Sequence, residues 1–207
     1  MSGRLVVVAS LVGTVFFALS GCTARCRDKE TKITEAAKPV EAKSQVFALR
    51  VSCAASAPYT DKAGNVWLAD QEVAPDKKWG AVGGMTVDRG DLGMSDTNSP
   101  AVYQTERYSM EAYRFSVPNG SYTVKLHFAE TYSGITGNGM RVFSVTINGK
   151  NVLTDFDPFK EAGGLNKPVV KTIKDITVTN GELAIGFTPN IQNPEINGIE
   201  ILSANAH

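Results

Sequence analysis

The sequence predicts an all-β domain, an antiparallel sandwich of jelly-roll type, and three observations carry that prediction. Apolar and polar residues alternate over short runs, Asn-Gly dipeptides punctuate the runs, and no helical stripe at i, i+3, i+4 follows the N-terminal apolar segment. The first run is Phe47, Leu49 and Val51. Trp67 in NVWLAD and Tyr113 in EAYRF fall in continuous apolar registers and are assigned to the core. The cleanest alternation is Tyr122, Val124, Leu126 and Phe128, with Thr123, Lys125 and His127 between them. Phe143, Val145 and Ile147 repeat the period, as do Leu183, Ile185 and Phe187. Asn119-Gly120, Asn148-Gly149 and Asn180-Gly181 supply the positive φ angles of tight turns and predict hairpins at those places. Helix is expected only as a turn or two near Phe159 to Ala162. At least about eight strands with one-sided alternation imply two sheets packed face to face.

The chain ahead of that domain reads differently. MSGRLVVVASLVGTVFFALSGC has a basic start at Arg4, an apolar run from Leu5 to Leu19 and then small residues, the pattern of an export signal. A membrane-spanning helix is the alternative, but it needs about 20 apolar residues, and Ser10, Gly13 and Thr14 interrupt this run. Leu19-Ser20-Gly21-Cys22 resembles the lipobox of bacterial lipoproteins, which implies cleavage after residue 21 and lipidation of Cys22. Residues 22–45, rich in alternating charge and alanine with little to bury, are expected to form a disordered tether with a mean reach of about 25 to 30 Å. The globular domain then spans residues 46–204. Such a protein is expected to be exported and held on the cell membrane by its acylated N-terminus. In a Gram-negative host that means the outer membrane, because Thr23 is not the aspartate that retains lipoproteins inside. Cys26 and Cys53 permit one disulfide, but Cys53 follows an apolar strand and is expected as a buried thiol instead.

Lys plus Arg and Asp plus Glu are equal at 21 each, and no basic run interleaves with aromatics, so a nucleic-acid partner is not expected. Only two histidines are present, His127 and the terminal His207, which removes a His pair for zinc and leaves a Ser-His-Asp triad dependent on His127 alone. GITGNG, Gly134 to Gly139, lacks the lysine and following helix of a phosphate loop. Glu106, Glu111, Glu130, Asp155 and Asp157 are the candidates for an acid and base in glycoside hydrolysis, although carboxylates on sheets are more often solvated or paired. Asp88, Asp91 and Asp96 miss calcium-loop spacing, and a structural calcium is left open.

The aromatic residues at loops and strand ends, Tyr59, Trp67, Trp79, Tyr103, Tyr108 and Tyr132, suit a lectin-like pocket, because sugars present apolar C–H faces flanked by hydroxyls. Trp79, before Gly80 in a polar stretch, and Tyr132, after LHFAE, are those that core packing explains least. Four ordered segments, VYQTERY, YRFSVPNGSYTVKLHFAETY, RVFSVTINGKNVLTDFD and NPEINGIEIL, resemble the malectin or di-glucose-binding domain over residues 46–203. The resemblance implies a sandwich of the galactose-binding-domain-like kind and a noncatalytic site for an oligosaccharide of glucoside or galactoside type, with no cofactor and no metal. It implies sugar-stacking rings at Tyr108 and Tyr132, and at Trp79, where the family has a tyrosine. Ser133 replaces a family phenylalanine, and Gln192, before Asn193-Pro194, replaces an aspartate; the neutral amide forms weaker bonds but both donates and accepts. Tyr103, Glu106 and Arg107 are expected to brace Tyr108 as a packing ring and an ion pair. A glycoside hydrolase or another envelope protein is a candidate partner beside the saccharide. The readings that compete with sugar binding are a protein-interaction scaffold at the cell envelope and a weakly active hydrolase accessory.

Overall fold

The computed structural model describes residues 46–94 and 97–204; the segments expected as signal peptide and tether, with Cys22 and Cys26, and also Asp96 and His207, lie outside the described residues. Residues Lys43–His207 separate as one compact unit. Among the described residues it has twelve strands: β1 (Ala48–Ser52), β2 (Tyr59–Thr60), β3 (Val66–Trp67), β4 (Trp79–Asp88), β5 (Thr105–Ser116), β6 (Gly120–Phe128), β7 (Val142–Ile147), β8 (Lys150–Phe156), β9 (Val169–Val178), β10 (Glu182–Ile191), β11 (Glu195–Ile196) and β12 (Gly198–Ser203). One main sheet has the order β1-β12-β6-β9; the other runs β11-β5-β10-β7-β8, with β4 added along β5, and β2 and β3 form a separate two-stranded sheet. Every strand pair is antiparallel, so the architecture is the expected antiparallel β-sandwich.

Alternation decides which residues meet between the sheets. On β6, Tyr122, Val124, Leu126 and Phe128 are buried beside Val51, Ile199 and Ile201 of the same sheet and share one core with Phe143, Val145, Leu183 and Ile185 of the other. Fully burying side chains of this size stabilises the fold by about 1.5–3 kcal/mol each. Phe128, Phe143 and Phe156 interlock, with centroids 4.8 to 5.9 Å apart. Cys53 is free and buried, and burial, with Asp70 nearby, pushes its thiol up from the ordinary range.

A smaller cluster of Trp67, Met94, Val102, Tyr103 and Ala129 covers the outer face of β6. This cluster encloses His127. The histidine keeps the polar register, but Trp67 packs edge-on against it at 5.2 Å, and its ring nitrogens bond the Tyr103 hydroxyl at 2.8 Å and Glu200 at 3.0 Å. It is a buried link between two strands.

Of the three Asn-Gly turns, only Asn148-Gly149 joins paired neighbours. Its φ angles of 50° and 76° belong to a two-residue hairpin between β7 and β8. Asn119-Gly120 and Asn180-Gly181 instead carry the chain from one sheet to the other, after β5 and after β9. These two crossings are tied together, since the Gly181 N–H donates to Asn119 Oδ1 at 2.8 Å and the Val117 N–H donates to Gly181 O at 2.9 Å. Of these two dipeptides, only Gly181 takes the expected left-handed φ, at 77°; neither Asn119 nor Gly120 has a positive φ, so the tight turn expected there is corrected to a crossing between sheets.

The expected helical turn is α1 (Pro158–Ala162), capped by Asp157, whose carboxylate accepts from the Lys160 N–H at 3.0 Å, and closed by left-handed Gly163. Asp157 also accepts from the Gly139 N–H at 2.5 Å.

Candidate functional site

The end of β4, the start of β5, the loop after β6 and the segment joining β10 to β11 converge on one cleft of about 350 Å³. Its walls include Arg89, Glu106, Tyr108, Tyr132, Gln192 and Asn193. Glu106 and Tyr108 lie two apart on β5 and share a face. Tyr108 pairs with Met85 on one side and Glu195 on the other, so these also face that way. Gln192 takes a left-handed φ of 61°, as does Ser109 beside Tyr108 at 59°, and the Ser109 N–H donates to Pro194 O at 2.9 Å. Left-handed side-chain-bearing residues cost about 1–3 kcal/mol and concentrate at binding sites. Here they aim Tyr108 and Gln192 into the same space.

Beneath the rings lies a set of ion pairs. Glu130, 0% exposed, accepts from Arg141 Nε at 2.6 Å and Nη2 at 3.3 Å, and also from the Tyr132 N–H at 3.0 Å. Arg141 uses Nη1 on Asn193 O at 2.5 Å, which fixes the lip that carries Gln192. Burial alone would lower the Arg141 pKa, but hydrogen bonding and charge from Glu130 outweigh it and raise it. Glu106 accepts from Arg89 Nη2 at 2.9 Å and from the Thr131 hydroxyl. Glu195 differs: it is 0% exposed and neither carboxyl oxygen has a partner. Burial, reinforced by Glu106 and Glu130 and opposed by Arg141, holds it well above the usual carboxylate range.

The residues named from the sequence divide accordingly. Tyr108, Tyr132 and Gln192 line the cleft together. Ser133 is exposed next to Tyr132 and does not line it. Trp79 is elsewhere: it pairs with Phe115 on β5, stacks on that buried ring at 6.1 Å, and packs against the edge of the main core. Phe115 is roughly 20 Å along the strand from Tyr108 at about 3.3 Å per residue. The polar neighbours of Trp79 suggested a loop, whereas it opens a strand whose register turns its ring inward.

Glu106 and Arg107 do not pair with each other, because neighbours on a strand face opposite ways. Arg107 bonds Asp70 at 2.8 Å on the other side. The hydrolase candidates Glu106, Glu130 and Asp157 are engaged by arginine, hydroxyl or backbone donors. Among the described residues, no three His, Cys, Asp or Glu are placed to hold a metal ion. Sequence reasoning missed Arg89, Arg141 and Glu195. Their signal was charge inside otherwise strand-like stretches, which reads as a solvated face until the burial is known.

Tyr132 has a second support. A Cβ added to Gly134 would lie 2.4 Å from Tyr132 Cε1 and 2.6 Å from Cζ, so the ring rests on bare backbone. On the cleft side, the Arg89 guanidinium carbon is 5.8 Å from the ring centroid. Gly134→Ala is expected to turn the ring out of this seat while costing under about 1 kcal/mol, since only an exposed side chain must move. Changed Tyr132 ring-proton shifts with a melting temperature within about 3 °C would confirm it; unchanged shifts would contradict it.

The sequence model described as Malectin domain matches residues 47–200. Among curated proteins, a probable LRR receptor-like serine/threonine-protein kinase of Arabidopsis thaliana is 44% identical over 96 residues, covering 42% of this chain and 9% of the kinase. Malectin-B of Xenopus laevis is 25% identical over 127 residues, covering 54% of this chain and 45% of its own length. The chain therefore spans less than half the length of these relatives. Among solved structures, a β-glucuronidase of Bacteroides uniformis superposes with a TM-score of 0.67 at 26% identity, over 76% of this chain and 18% of the enzyme.

Proposed function

The chain belongs to the malectin domain family, and from that membership we propose that it is a noncatalytic carbohydrate-binding protein that takes an oligosaccharide in the cleft between Tyr108, Tyr132 and Gln192. The supporting observation is the division of labour in the cleft: rings and amides, with the partly exposed Arg89, form its mouth, while Glu106 and Glu130 are held by arginines. Rings receive the C–H face of a sugar, and the Gln192 and Asn193 amides both donate to and accept from its hydroxyls. A glycosidase needs one carboxylic acid and one free carboxylate across the scissile bond. Carboxylates saturated by guanidinium, hydroxyl and backbone donors fit a brace better than that role.

The saccharide class within the glucoside and galactoside range belongs to the same proposal, as does export with lipidation at Cys22, which would hold the domain at the cell envelope. Met85 and Ile191 are exposed near the cleft and favour the second reading, a surface that docks an envelope protein.

The test is titration of residues 43–207 against an oligosaccharide panel. Saturable binding is expected, with Tyr108→Ala weakening it by about tenfold or more, because loss of one stacked ring and its hydroxyl removes at least about 1.4 kcal/mol. Trp79→Ala is expected to leave affinity unchanged. No saturable binding, or binding indifferent to Tyr108, would overturn the reading. Recovery of an envelope protein that free sugars fail to displace would favour the second one.

A further inference from the structure

Resting on the carbohydrate reading, we infer that the cleft prefers a saccharide that carries a carboxylate, a uronic acid, and that Arg89 is the residue that selects it. The inference starts from the hydrogen-bond inventory of the cleft. Arg141 is spent on Glu130 and Asn193 O. Glu106 has one oxygen on Arg89 and the other on the Thr131 hydroxyl, and Glu130 has both on Arg141 with Tyr132 N–H added. Every charged group in this set has its partners except Arg89.

Arg89 donates to Glu106 through Nη2 alone, at 2.9 Å. Its Nε is buried without an acceptor, and Nη1 has none among the described residues. An unmet buried donor costs about 1–3 kcal/mol and marks a site where an acceptor is missing. The side chain is 27% exposed, lines the cleft and lies over Tyr132. It therefore places an incompletely used guanidinium at the ring that a sugar would meet.

The ion pairs leave no net negative charge to oppose an anion there. Arg89 and Arg141 are matched by Glu106 and Glu130, and burial raises the pKa of Glu195 well above the usual carboxylate range. The remaining residues of the mouth, Tyr108, Tyr132, Gln192 and Asn193, are neutral. Nη1, the donor left without an acceptor, can give a carboxylate a charge-assisted bond, roughly twice as strong as the one a sugar hydroxyl would make. A uronate presents that carboxylate at the edge of the same pyranose ring whose C–H face stacks on an aromatic.

The experiment titrates residues 43–207 with maltose, cellobiose and lactose, each against its analogue with a C6 carboxylate on the non-reducing sugar. At least one acidic member is expected to bind about tenfold more tightly than its neutral partner, a factor equivalent to about 1.4 kcal/mol, with the margin shrinking as salt is raised. Arg89→Gln should abolish the margin and Arg89→Lys should keep part of it. Because Arg89→Gln leaves Glu106 without its ion partner, the double variant Arg89→Gln/Glu106→Gln supplies the same reading if the single one melts early. Equal binding of both members, or an acid preference that survives both variants, overturns this inference and leaves the carbohydrate reading standing. Failure of every saccharide to bind overturns both.

Discussion

Arg141→Met is expected to destabilise the domain by about 3–5 kcal/mol, because it leaves Glu130 as a buried carboxylate stripped of its guanidinium. Glu130 is 0% exposed and keeps only the Tyr132 N–H as donor. Asn193 O also loses its partner at 2.5 Å, so the lip bearing Gln192 is released in the same step. At about 2–4 °C per kcal/mol for a domain of this size, the melting temperature should fall by roughly 10 °C. Replacing both members, as Arg141→Met/Glu130→Leu, removes the buried charge as well and should recover most of the loss. Thermal unfolding of the parent and the two variants decides the matter. A single variant within about 2 °C of the parent, or a double variant no better than the single one, would mean that the pair is solvated rather than buried.

The sandwich was legible because its core strands obey one rule. In β6, β7 and β10 the inward residues are apolar and most of the outward ones polar or small, and each of these strands stands where the alternation places it. β5 and β4 were harder to read, for opposite reasons. β5 buries Glu106 and Arg107 on its two faces, so charge occupies positions that the pattern assigns to solvent. β4 carries glycines at 80, 83 and 84, which leave little hydrophobic signal, and a register shift at Val82 and Gly83. Both strands line the cleft, so the pattern is weakest where the site is built. Tyr108, Tyr132 and Gln192 were recognised through family motifs. Arg89, Arg141 and Glu195 act through partners distant in sequence, as Glu195 does opposite Tyr108, and spacing along the chain carries no record of that.

The same arrangement accounts for the misplacement of Trp79. Polar neighbours raise the expectation that an aromatic ring is presented to ligand, but a strand's first residue is turned inward or outward by its partner's register. Trp79 meets Phe115, an inward residue, and becomes part of the core edge. Tyr132 follows β6 in a loop held by Glu130 and seated on Gly134, so its ring stays out at 45% exposure. Presentation is decided by what the neighbouring backbone and carboxylates leave open.

Glu195→Gln is expected to flatten the pH dependence of stability above the ordinary glutamate pKa of 4.5. In the unfolded chain Glu195 releases its proton near that value, whereas in the fold burial, Glu106 and Glu130 raise its pKa, with Arg141 opposing them in part. Below 4.5 both states hold the proton and this group makes stability neither rise nor fall. Above it only the unfolded state ionises, so each further pH unit favours unfolding by about 1.4 kcal/mol until the folded group ionises too. The contribution is thus whole at acid pH and lost as pH rises, opposite in sign to Glu200, whose pKa is lowered: burial works against that shift, and the His127 hydrogen bond and charge outweigh it. Subtracting the variant's stability curve from that of the parent cancels Glu200 and isolates Glu195. The amide adds donors without partners, a penalty of about 1–3 kcal/mol that is the same at every pH and shifts the difference curve without tilting it. A difference curve that is level from pH 5 to 8 would show that Glu195 is ionised in the fold. A curve that falls from the acid side would show that the carboxyl paired opposite Tyr108 is neutral, and that the cleft is most stable where that proton is kept.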